Sequence, residues 1–185
     1  MITLVRHGET DWSRSGRHTG RTEVPLTEGG RQQAKQVGIK LADRRFARVL
    51  TSPLSRAAET CRLAGMGEGE PCEDLVEWDY GAYEGRTTDD IRAERPGWLL
   101  WRDGAPEGER PSDVTERADR LIAMLREIPE DVICFSHGHI LRTLAARWVG
   151  LGPEAGSCLA LDPATISVLG YEREVPVIRL WNEAP

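Results

Sequence analysis

The sequence has few lysines, no closely paired cysteines and no long apolar run. Only Lys35 and Lys40 among its 24 basic residues are lysine, and 30 acidic residues leave a net charge of −6. Such a chain lacks the sequence-independent attraction that holds basic proteins on nucleic acid or on anionic membranes, so we expect neither partner. Composition alone explains an excess of arginine, but guanidinium is also the better fork for phosphate and carboxylate.

The scarcity of apolar runs and of cysteine pairs also bears on location. The apolar run Ile2–Val5 is far shorter than the core of a secretory signal, and no stretch approaches the length of a membrane span. The four cysteines have no CxxC spacing, and Cys61 and Cys134 lie within apolar patterns. We therefore expect reduced cysteines in a cytoplasmic protein that does not bind membranes.

Strands and helices alternate along the chain, which predicts an α/β fold with a mostly parallel sheet between two helical layers. The length of 185 residues and the absence of repeats or linkers predict one domain over residues 1–185. The predicted strands are Met1–Val5, Arg48–Thr51 and Asp131–Ser136, with a hairpin of Thr165–Tyr171 and Val175–Trp181. Five helices are predicted. The first begins at Pro25–Thr27, and three others are Leu54–Ala64, Thr87–Glu94 and Ile140–Val149. The fifth has the apolar stripe Val114–Ile128, which a capping box at Asp113 and Glu116 precedes. The predicted loops are Glu9–Val24, Gly65–Pro71 and most of Trp98–Pro111.

Three features that suggest other chemistries have simpler explanations. The glycine-rich stretch 65–69 follows a helix rather than a strand, and its neighbouring glutamates repel phosphate, so it is predicted to be a connector. Ser136 lacks the glycine that a hydrolase nucleophile requires two residues earlier, where Cys134 stands. His137 and His139 have the spacing of metal ligands, but no carboxylate cluster accompanies them, so a metal is not favoured.

Two apolar strands end in the same way. Ile2–Val5 and Val132–Phe135 are each followed by a polar residue, a histidine and a glycine, which places His7 and His137 at strand ends. Parallel strands present their carboxyl ends at one edge of the sheet, where ligands bind in open α/β folds. The two histidines should therefore share a cleft, and the glycines should let backbone amides approach an anion.

Two arginines belong to the same predicted edge. Arg6 precedes His7, and Arg56 begins the helix that follows the second strand. A cation at a helix N-terminus opposes the helix dipole, so a bound anion is a reason for its presence there. Two guanidiniums, two imidazoles and helix amides together predict a pocket for a dianion such as phosphate.

Five blocks in this order resemble the histidine phosphatase superfamily, which has the phosphoglycerate-mutase-like fold. The resemblance spans Leu4 to about Arg142, most of the chain. The blocks are LVRHGET from Leu4, the Thr19-Gly20 and Pro25-Leu26-Thr27 segment, TSPLSRAAET from Thr51, the stretch Leu75–Gly85 with Glu77, and Ser136-His137-Gly138. The resemblance implies a three-layer α/β/α sandwich, mostly parallel, with an antiparallel edge strand.

The segment between Glu77 and His137 is too short for the insertion that the glycolytic mutases carry, and their arginine-rich carboxylate motif is absent. The chain is more similar to the subgroup of sedoheptulose-bisphosphatases and related acid phosphatases. The resemblance implies phosphate contacts from Arg6, Arg56, Ser13, Thr19, Gly20 and Gly138. Ser13 stands where many relatives carry asparagine, and its hydroxyl can donate one hydrogen bond.

The expected reaction is metal-independent and cofactor-independent hydrolysis of a phosphate monoester. His7 is the predicted nucleophile, kept neutral by the guanidiniums of Arg6 and Arg56, and attacks phosphorus to form a phosphohistidine. A protonated His137 is expected to neutralise the phosphoryl oxygens. Glu77 is the predicted acid and later base, which requires a pKa raised by burial or by the phosphate and predicts an acidic optimum.

The expected substrate is a small phosphorylated metabolite, in particular a sugar phosphate. The candidates for the leaving-group side are His18, Tyr80, Arg102, His139 and Arg142. A second cation from Arg102 or Arg142 would suit a bisphosphate. The alternatives are a phosphoglycerate-type mutase and a non-catalytic phosphate-binding module. The sequence does not decide whether the chain forms a homo-oligomer, because four tryptophans could lie in a core or at an interface: Trp98, Trp101, Trp148 and Trp181.

Overall fold

A computed structural model describes residues 1–185, and one six-stranded sheet organises them. The strands are β1 (Ile2–Arg6), β2 (Arg48–Thr51), β3 (Glu70–Pro71), β4 (Val132–Ser136), β5 (Ile166–Glu172) and β6 (Val175–Glu183). Their spatial order is β3-β2-β4-β1-β5-β6. The first four are parallel, whereas β5 is antiparallel to both β1 and β6, so the antiparallel pairs lie toward one edge.

Side chains of the central strands alternate between two apolar cores, one on each face of the sheet. In β1, Leu4 belongs to the larger core and Val5 to the smaller one. In β4, Cys134 faces the larger core, and Ile133 and Phe135 face the smaller one. Both faces of these strands are buried, which explains why they are almost continuously apolar in sequence. The α/β/α prediction is confirmed.

Seven α-helices cover the two faces. They are α1 (Asp11–Arg14), α2 (Glu28–Lys40), α3 (Ser55–Leu63), α4 (Thr88–Glu94), α5 (Leu100–Asp103), α6 (Pro111–Arg126) and α7 (Gly138–Trp148). Short 3-10 helices occur at Glu73–Leu75, Gly81–Tyr83 and Pro153–Cys158. Apolar residues of α2 and α3 fill the smaller core, and those of α6 and α7 fill the larger one.

The structure corrects several predicted boundaries. Asp113 is the third residue of α6 and accepts a hydrogen bond from the backbone N–H of Arg110, so the helix begins one turn earlier, at Pro111. The Glu9–Val24 loop contains α1, whose first turn is capped by Thr10. The Trp98–Pro111 loop contains α5, and the Gly65–Pro71 loop ends in β3.

Three of the four tryptophans that could have formed an interface belong to the core. Trp98, Trp101 and Trp148 are buried, and Trp181 is partly buried with its indole N–H donated to the Ala160 carbonyl. All four cysteines are free thiols, and Cys61 and Cys134 are buried. None of the helices has both the length and the apolar character needed to cross a bilayer.

The register of β1 and β4 brings the two histidines together. Arg6 lies opposite Ser136, and the N–H of His7 donates to the Ser136 carbonyl at 2.9 Å. The His7 and His137 rings, one residue beyond each strand, therefore lie 5.2 Å apart between centroids. This shared edge was predicted from the matching strand ends, and it opens into a cavity of about 180 Å³.

Candidate active site

His7 presents one defined nitrogen to this cavity. Its Nδ1 lies 2.7 Å from the carbonyl oxygen of Gly8, which can only accept, so Nδ1 carries the proton and donates it. Nε2 therefore retains its lone pair. Burial lowers the pKa of His7 well below its usual range, and the guanidiniums of Arg56 and Arg6 lower it further. The ring is therefore neutral and of fixed tautomer, which are the properties that the predicted nucleophile needs.

Arg6 supplies positive charge beside that ring. Its guanidinium lines the cavity and donates to the Leu161 carbonyl, whereas its Nε is buried without a hydrogen-bond partner. A buried donor without a partner is costly and indicates the place of a missing acceptor. A Cβ on Gly138 would lie 3.5 Å from this Nε, so glycine leaves that space open. The geometry fits an anion bound between Arg6 and the start of α7.

His137 has a different environment from the one predicted. Its Nδ1 accepts a hydrogen bond from Arg56 Nε at 3.2 Å, and its Nε2 lies 2.8 Å from the hydroxyl of Ser52. Burial lowers the pKa of His137 well below its usual range, and the charge of Arg56 adds to the effect. The prediction of a protonated His137 is wrong for the unliganded site, because a guanidinium already occupies the nitrogen that would be protonated.

Arg56 also lies behind the cavity wall. Its guanidinium is fully buried and donates to the carbonyls of Thr19, Gly20 and Thr22 at 3.2, 2.8 and 3.0 Å. The N–H groups of Gly20 and Thr22 donate in turn to the Glu84 carboxylate at 2.7 and 3.1 Å. The segment 19–22 is thus held by a cation on its carbonyls and by an anion on its amides.

Glu77 occupies the N-terminus of α7. Its carboxylate accepts hydrogen bonds from the backbone N–H groups of His139 at 3.0 Å and Ile140 at 2.9 Å. Burial raises the pKa of Glu77, but hydrogen bonds from His139 and from the start of α7 outweigh burial, and the pKa lies well below its usual range. Burial alone therefore does not give the raised pKa that the acid role requires, and a shift caused by bound phosphate stays a prediction.

The remaining predicted residues divide into two groups. Ser13, Thr19, Gly138, His18, Tyr80, His139 and Arg142 line the cavity. Gly20 and Arg102 do not. The Ser13 hydroxyl donates to the Thr10 carbonyl within the cap of α1, and the Thr19 hydroxyl donates to the Arg17 carbonyl. Both hydroxyls are therefore used within their own turns.

Arg102 is the predicted leaving-group candidate that the fold places elsewhere. Its exposed side chain pairs with Asp103 and donates to the Gly97 carbonyl. Arg17, which the sequence analysis missed, lines the cavity instead, and its guanidinium makes no hydrogen bond or ion pair within the protein. One signal was present in the sequence, since Asp103 adjoins Arg102 whereas no acidic residue adjoins Arg17.

One side of the cavity is an aromatic wall. The Tyr80 hydroxyl and His139 Nδ1 are 2.7 Å apart and share a hydrogen bond. His18 packs on Tyr80 with ring centroids 4.7 Å apart. Arg142 stacks 4.8 Å over the Trp101 ring and donates to the Gly156 carbonyl. No group of three or more histidine, cysteine, aspartate or glutamate side chains is arranged to hold a metal ion.

The chain is similar to known proteins in sequence and in overall structure. Residues 2–184 match the family model described as histidine phosphatase superfamily (branch 1). An acid phosphatase from Mycobacterium tuberculosis is 44% identical over 178 residues, which cover 94% of this chain and 88% of that protein. A sedoheptulose 1,7-bisphosphatase from Saccharomyces cerevisiae is 33% identical, with 96% and 77% covered. The solved structure of an open reading frame product from Mycobacterium tuberculosis superposes with a TM-score of 0.96 at 42% identity, covering 99% of this chain and 97% of that one.

Proposed function

Because the chain belongs to the histidine phosphatase superfamily, we propose that it hydrolyses phosphate monoesters of small metabolites through a phosphohistidine at His7. The observation that carries this proposal is the fixed tautomer of His7, whose unprotonated Nε2 is available beside the buried, unpartnered Nε of Arg6. A binding module needs the cation but not the nucleophile. The presence of both the Arg6 cation and an unprotonated His7 nitrogen therefore favours catalysis.

The reaction has two displacements. In the first, His7 Nε2 attacks phosphorus, the ester P–O bond breaks, and the departing alcohol oxygen takes a proton from Glu77. In the second, water attacks the phosphohistidine, the P–N bond breaks, and the Glu77 carboxylate takes the water proton. Glu77 then passes the water proton to the product, so inorganic phosphate leaves as its monoanion and Glu77 is again ionised, as in the free enzyme.

The low pKa of Glu77 decides where its proton originates. The free enzyme holds this carboxyl ionised, because the N-terminus of α7 stabilises the charge. A phosphate monoester retains one proton below a pKa of about 6. We propose that the substrate binds as its monoanion and passes this proton to Glu77 within the complex. The predicted acidic optimum is then set by the pKa of the ester rather than by the pKa of Glu77.

The positive charges act at two distances from the phosphoryl group. Arg6 is proposed to bind the phosphate directly, together with the backbone N–H of Gly138 at the start of α7. Arg56 is proposed to act through His137 and through the segment 19–22, which it holds by hydrogen bonds. Its charge still lowers the pKa of His7 and so keeps the nucleophile neutral.

A second pair of cations favours substrates with a second negative charge. Arg17 and Arg142 both line the cavity, and Arg17 makes no ion pair of its own. A sugar bisphosphate carries such a charge, and the name of one relative, a sedoheptulose 1,7-bisphosphatase, supports a sugar phosphate. We propose a sugar phosphate with a further anionic group.

The central test measures hydrolysis and the covalent intermediate together. The wild type should release p-nitrophenol from p-nitrophenyl phosphate, and acid-labile, base-stable ³²P should remain on the protein after rapid quenching. His7→Ala should abolish both signals. Equal rates for the two proteins would overturn the proposal. Hydrolysis in ¹⁸O-labelled water should put solvent oxygen into phosphate, whereas a mutase would return phosphate to a second hydroxyl.

The substrate proposal has its own matched pair of variants. Arg17→Gln should lower kcat/KM roughly tenfold for a sugar bisphosphate, because one charge-assisted hydrogen bond is lost, and should leave the monophosphate unchanged. Arg102→Gln removes an exposed arginine outside the cavity and should change neither value. An equal loss for both substrates in Arg17→Gln would contradict a second anionic site.

A further inference from the structure

A second cavity lies directly behind the aromatic wall of the active site. It has a volume of about 210 Å³ and shares two lining residues with the first cavity, His18 and His139. The rest of its lining is mainly apolar and aromatic, with one arginine: Thr88, Arg92, Trp98, Leu99, Leu100, Trp101 and Ser157. The imidazole rings of His18 and His139, 6.0 Å apart between centroids, therefore lie between the catalytic cavity and a space that is partly apolar.

His18 is held firmly in this partition. Its backbone N–H donates to the Arg86 carbonyl, and its own carbonyl accepts from the N–H of Gly85, both at 2.9 Å. Its ring packs edge-on against Trp98 at 5.6 Å, and Nε2 lies 3.3 Å from the Thr88 hydroxyl. Contacts on both sides of the ring and on its backbone fix it, so it is a wall rather than a mobile gate.

His18 and His139 differ in their hydrogen bonds to the catalytic groups. The backbone N–H of His139 binds the Glu77 carboxylate, so His139 belongs to the proton-transfer machinery. His18 makes no hydrogen bond to His7, Arg6 or Glu77, and its one side-chain hydrogen bond is to Thr88. His18 is therefore the position at which the size of the cavity can change while the reacting groups remain in place.

We propose that the His18 side chain determines the size of leaving group that the enzyme accepts. The imidazole stops a leaving group at the wall and restricts turnover to esters of compact polar alcohols. The space behind it has the tryptophan and leucine lining that suits a flat apolar ring. Removal of the imidazole joins the two cavities and admits extended aryl esters. This inference rests on the proposed function and specifies its substrate class.

The experiment compares two esters whose leaving groups have similar acidity but different length, phenyl phosphate and 4-biphenylyl phosphate. The wild type should strongly prefer the phenyl ester. His18→Ala should raise the ratio of kcat/KM values, biphenylyl over phenyl, by about tenfold or more, which is the scale at which pockets discriminate by size. His18→Phe restores a ring and should keep the wild-type ratio.

Thr88→Val separates the bulk of the ring from its hydrogen bond and should also keep the wild-type ratio. Near-ultraviolet circular dichroism establishes that each variant is folded. An unchanged ratio in folded His18→Ala, or the same gain in His18→Phe, overturns the inference. If the wild type hydrolyses neither ester, the proposed function fails first, so the two failures are distinguishable.

Discussion

The charge of a single buried carboxyl depends on which backbone groups it faces. Glu77 was expected to be protonated through burial or through bound phosphate, yet in the unliganded site it is ionised because it caps α7 and accepts two backbone N–H groups. The sequence shows Glu77 in an acidic, irregular stretch and gives no sign that the stretch returns to a helix start about 60 residues later. A contact between segments so far apart in sequence cannot be inferred from the residue types alone.

The proton role of Glu77 predicts a dependence on the leaving group. Glu77→Gln keeps an acceptor oxygen for α7 but cannot give a proton, so the rate of enzyme phosphorylation should fall about 10²- to 10⁴-fold for an alkyl phosphate. The fall should be much smaller for p-nitrophenyl phosphate, whose leaving group departs unprotonated. Rapid-quench measurement of the phosphoenzyme tests this, with Glu174→Gln in the exposed β5–β6 turn as the control. An equal fall for both esters would contradict the acid role.

The pH dependence of kcat/KM should follow the substrate. The lowered pKa values of His7 and Glu77 leave the imidazole neutral and the carboxyl ionised near neutral pH. Neither group should therefore change its protonation state, and so produce a limb of the pH profile, in that range. Activity should fall as pH rises above about 6, where the ester loses its last proton. An ester with a more acidic phosphate should move this limb to lower pH. A limb at the same pH for both esters would assign it to the protein.

The arginines show which residue positions the sequence could assign. Arg6 was placed correctly because a strand end fixes it, and β1 is an unambiguous apolar run. Arg17 and Arg102 lie in irregular segments, where no periodicity determines the direction of a side chain. The fold turns Arg17 toward the cavity and pairs Arg102 with its neighbour Asp103.

At the level of elements, the strands and the long amphipathic helices were predictable, whereas short helices were not. α1 and α5 each have four residues, too few for an apolar stripe to repeat. The predicted start of α6 was one turn too late. Aspartate is favoured both as the cap of a helix and at its third position, and Asp113 occupies the third position. Caps identify a helix start only to within a turn.

The first turn of α7 predicts a contrast between two glycines. A Cβ in Gly138→Ala would lie 3.5 Å from Arg6 Nε and 3.6 Å from Glu77, in ordinary contact, so the thermal midpoint should hardly change. The methyl group would take the place of the anion, and inhibition by inorganic phosphate should weaken several-fold. Gly8→Ala is the matched comparison, since its Cβ would lie 2.4 Å from the Gly30 carbonyl oxygen.

Gly8→Ala should therefore lower the thermal midpoint by several degrees, because a backbone clash costs about 1–3 kcal/mol. Differential scanning fluorimetry with and without phosphate measures both effects. Undiminished phosphate inhibition in Gly138→Ala would mean that the anion binds elsewhere in the cavity.

For the whole molecule, the two cores follow from the sequence, because alternation in β1 and β4 and the stripes of the long helices determine which faces are buried. The cavity does not follow in the same way. Its wall combines the segments around residues 13–19, 77–80 and 138–142, and the positions of these depend on contacts such as Arg56 with Thr22 and Glu84 with Gly20. No local pattern encodes such contacts.

All four histidines of the chain have lowered pKa values, which predicts an unliganded fold that is sensitive to acid. Burial is the largest cause for each of His7, His18, His137 and His139, and the pKa of His18 is lowered to about 4. Below the unfolded pKa of about 6.5 the unfolded chain binds protons that the folded chain refuses, so folding stability is lost as pH falls.

Each histidine contributes up to about 1.4 kcal/mol per pH unit in this window. Urea unfolding at pH 7.5 and pH 5.5 should therefore show a clear loss of stability at the lower pH. Inorganic phosphate, which binds only the folded protein, should restore part of it. A free energy of unfolding that is flat or rises between pH 7.5 and 5.5 would contradict the buried, neutral state of these rings.

The way in which the segment 19–22 is held has a practical consequence. Arg56 and Glu84 bind its carbonyls and amides, and the side chain of Arg21 points outward, half exposed. Hydrogen bonds to backbone groups hold the main chain there, and the Arg21 side chain adds only a partly exposed ion pair with Asp79 at 3.8 Å, so position 21 can carry a foreign group. A fluorophore attached to Arg21→Cys, in a chain whose exposed Cys158 is replaced by serine, would report on occupancy of the neighbouring catalytic cavity, in real time and without a coupled assay.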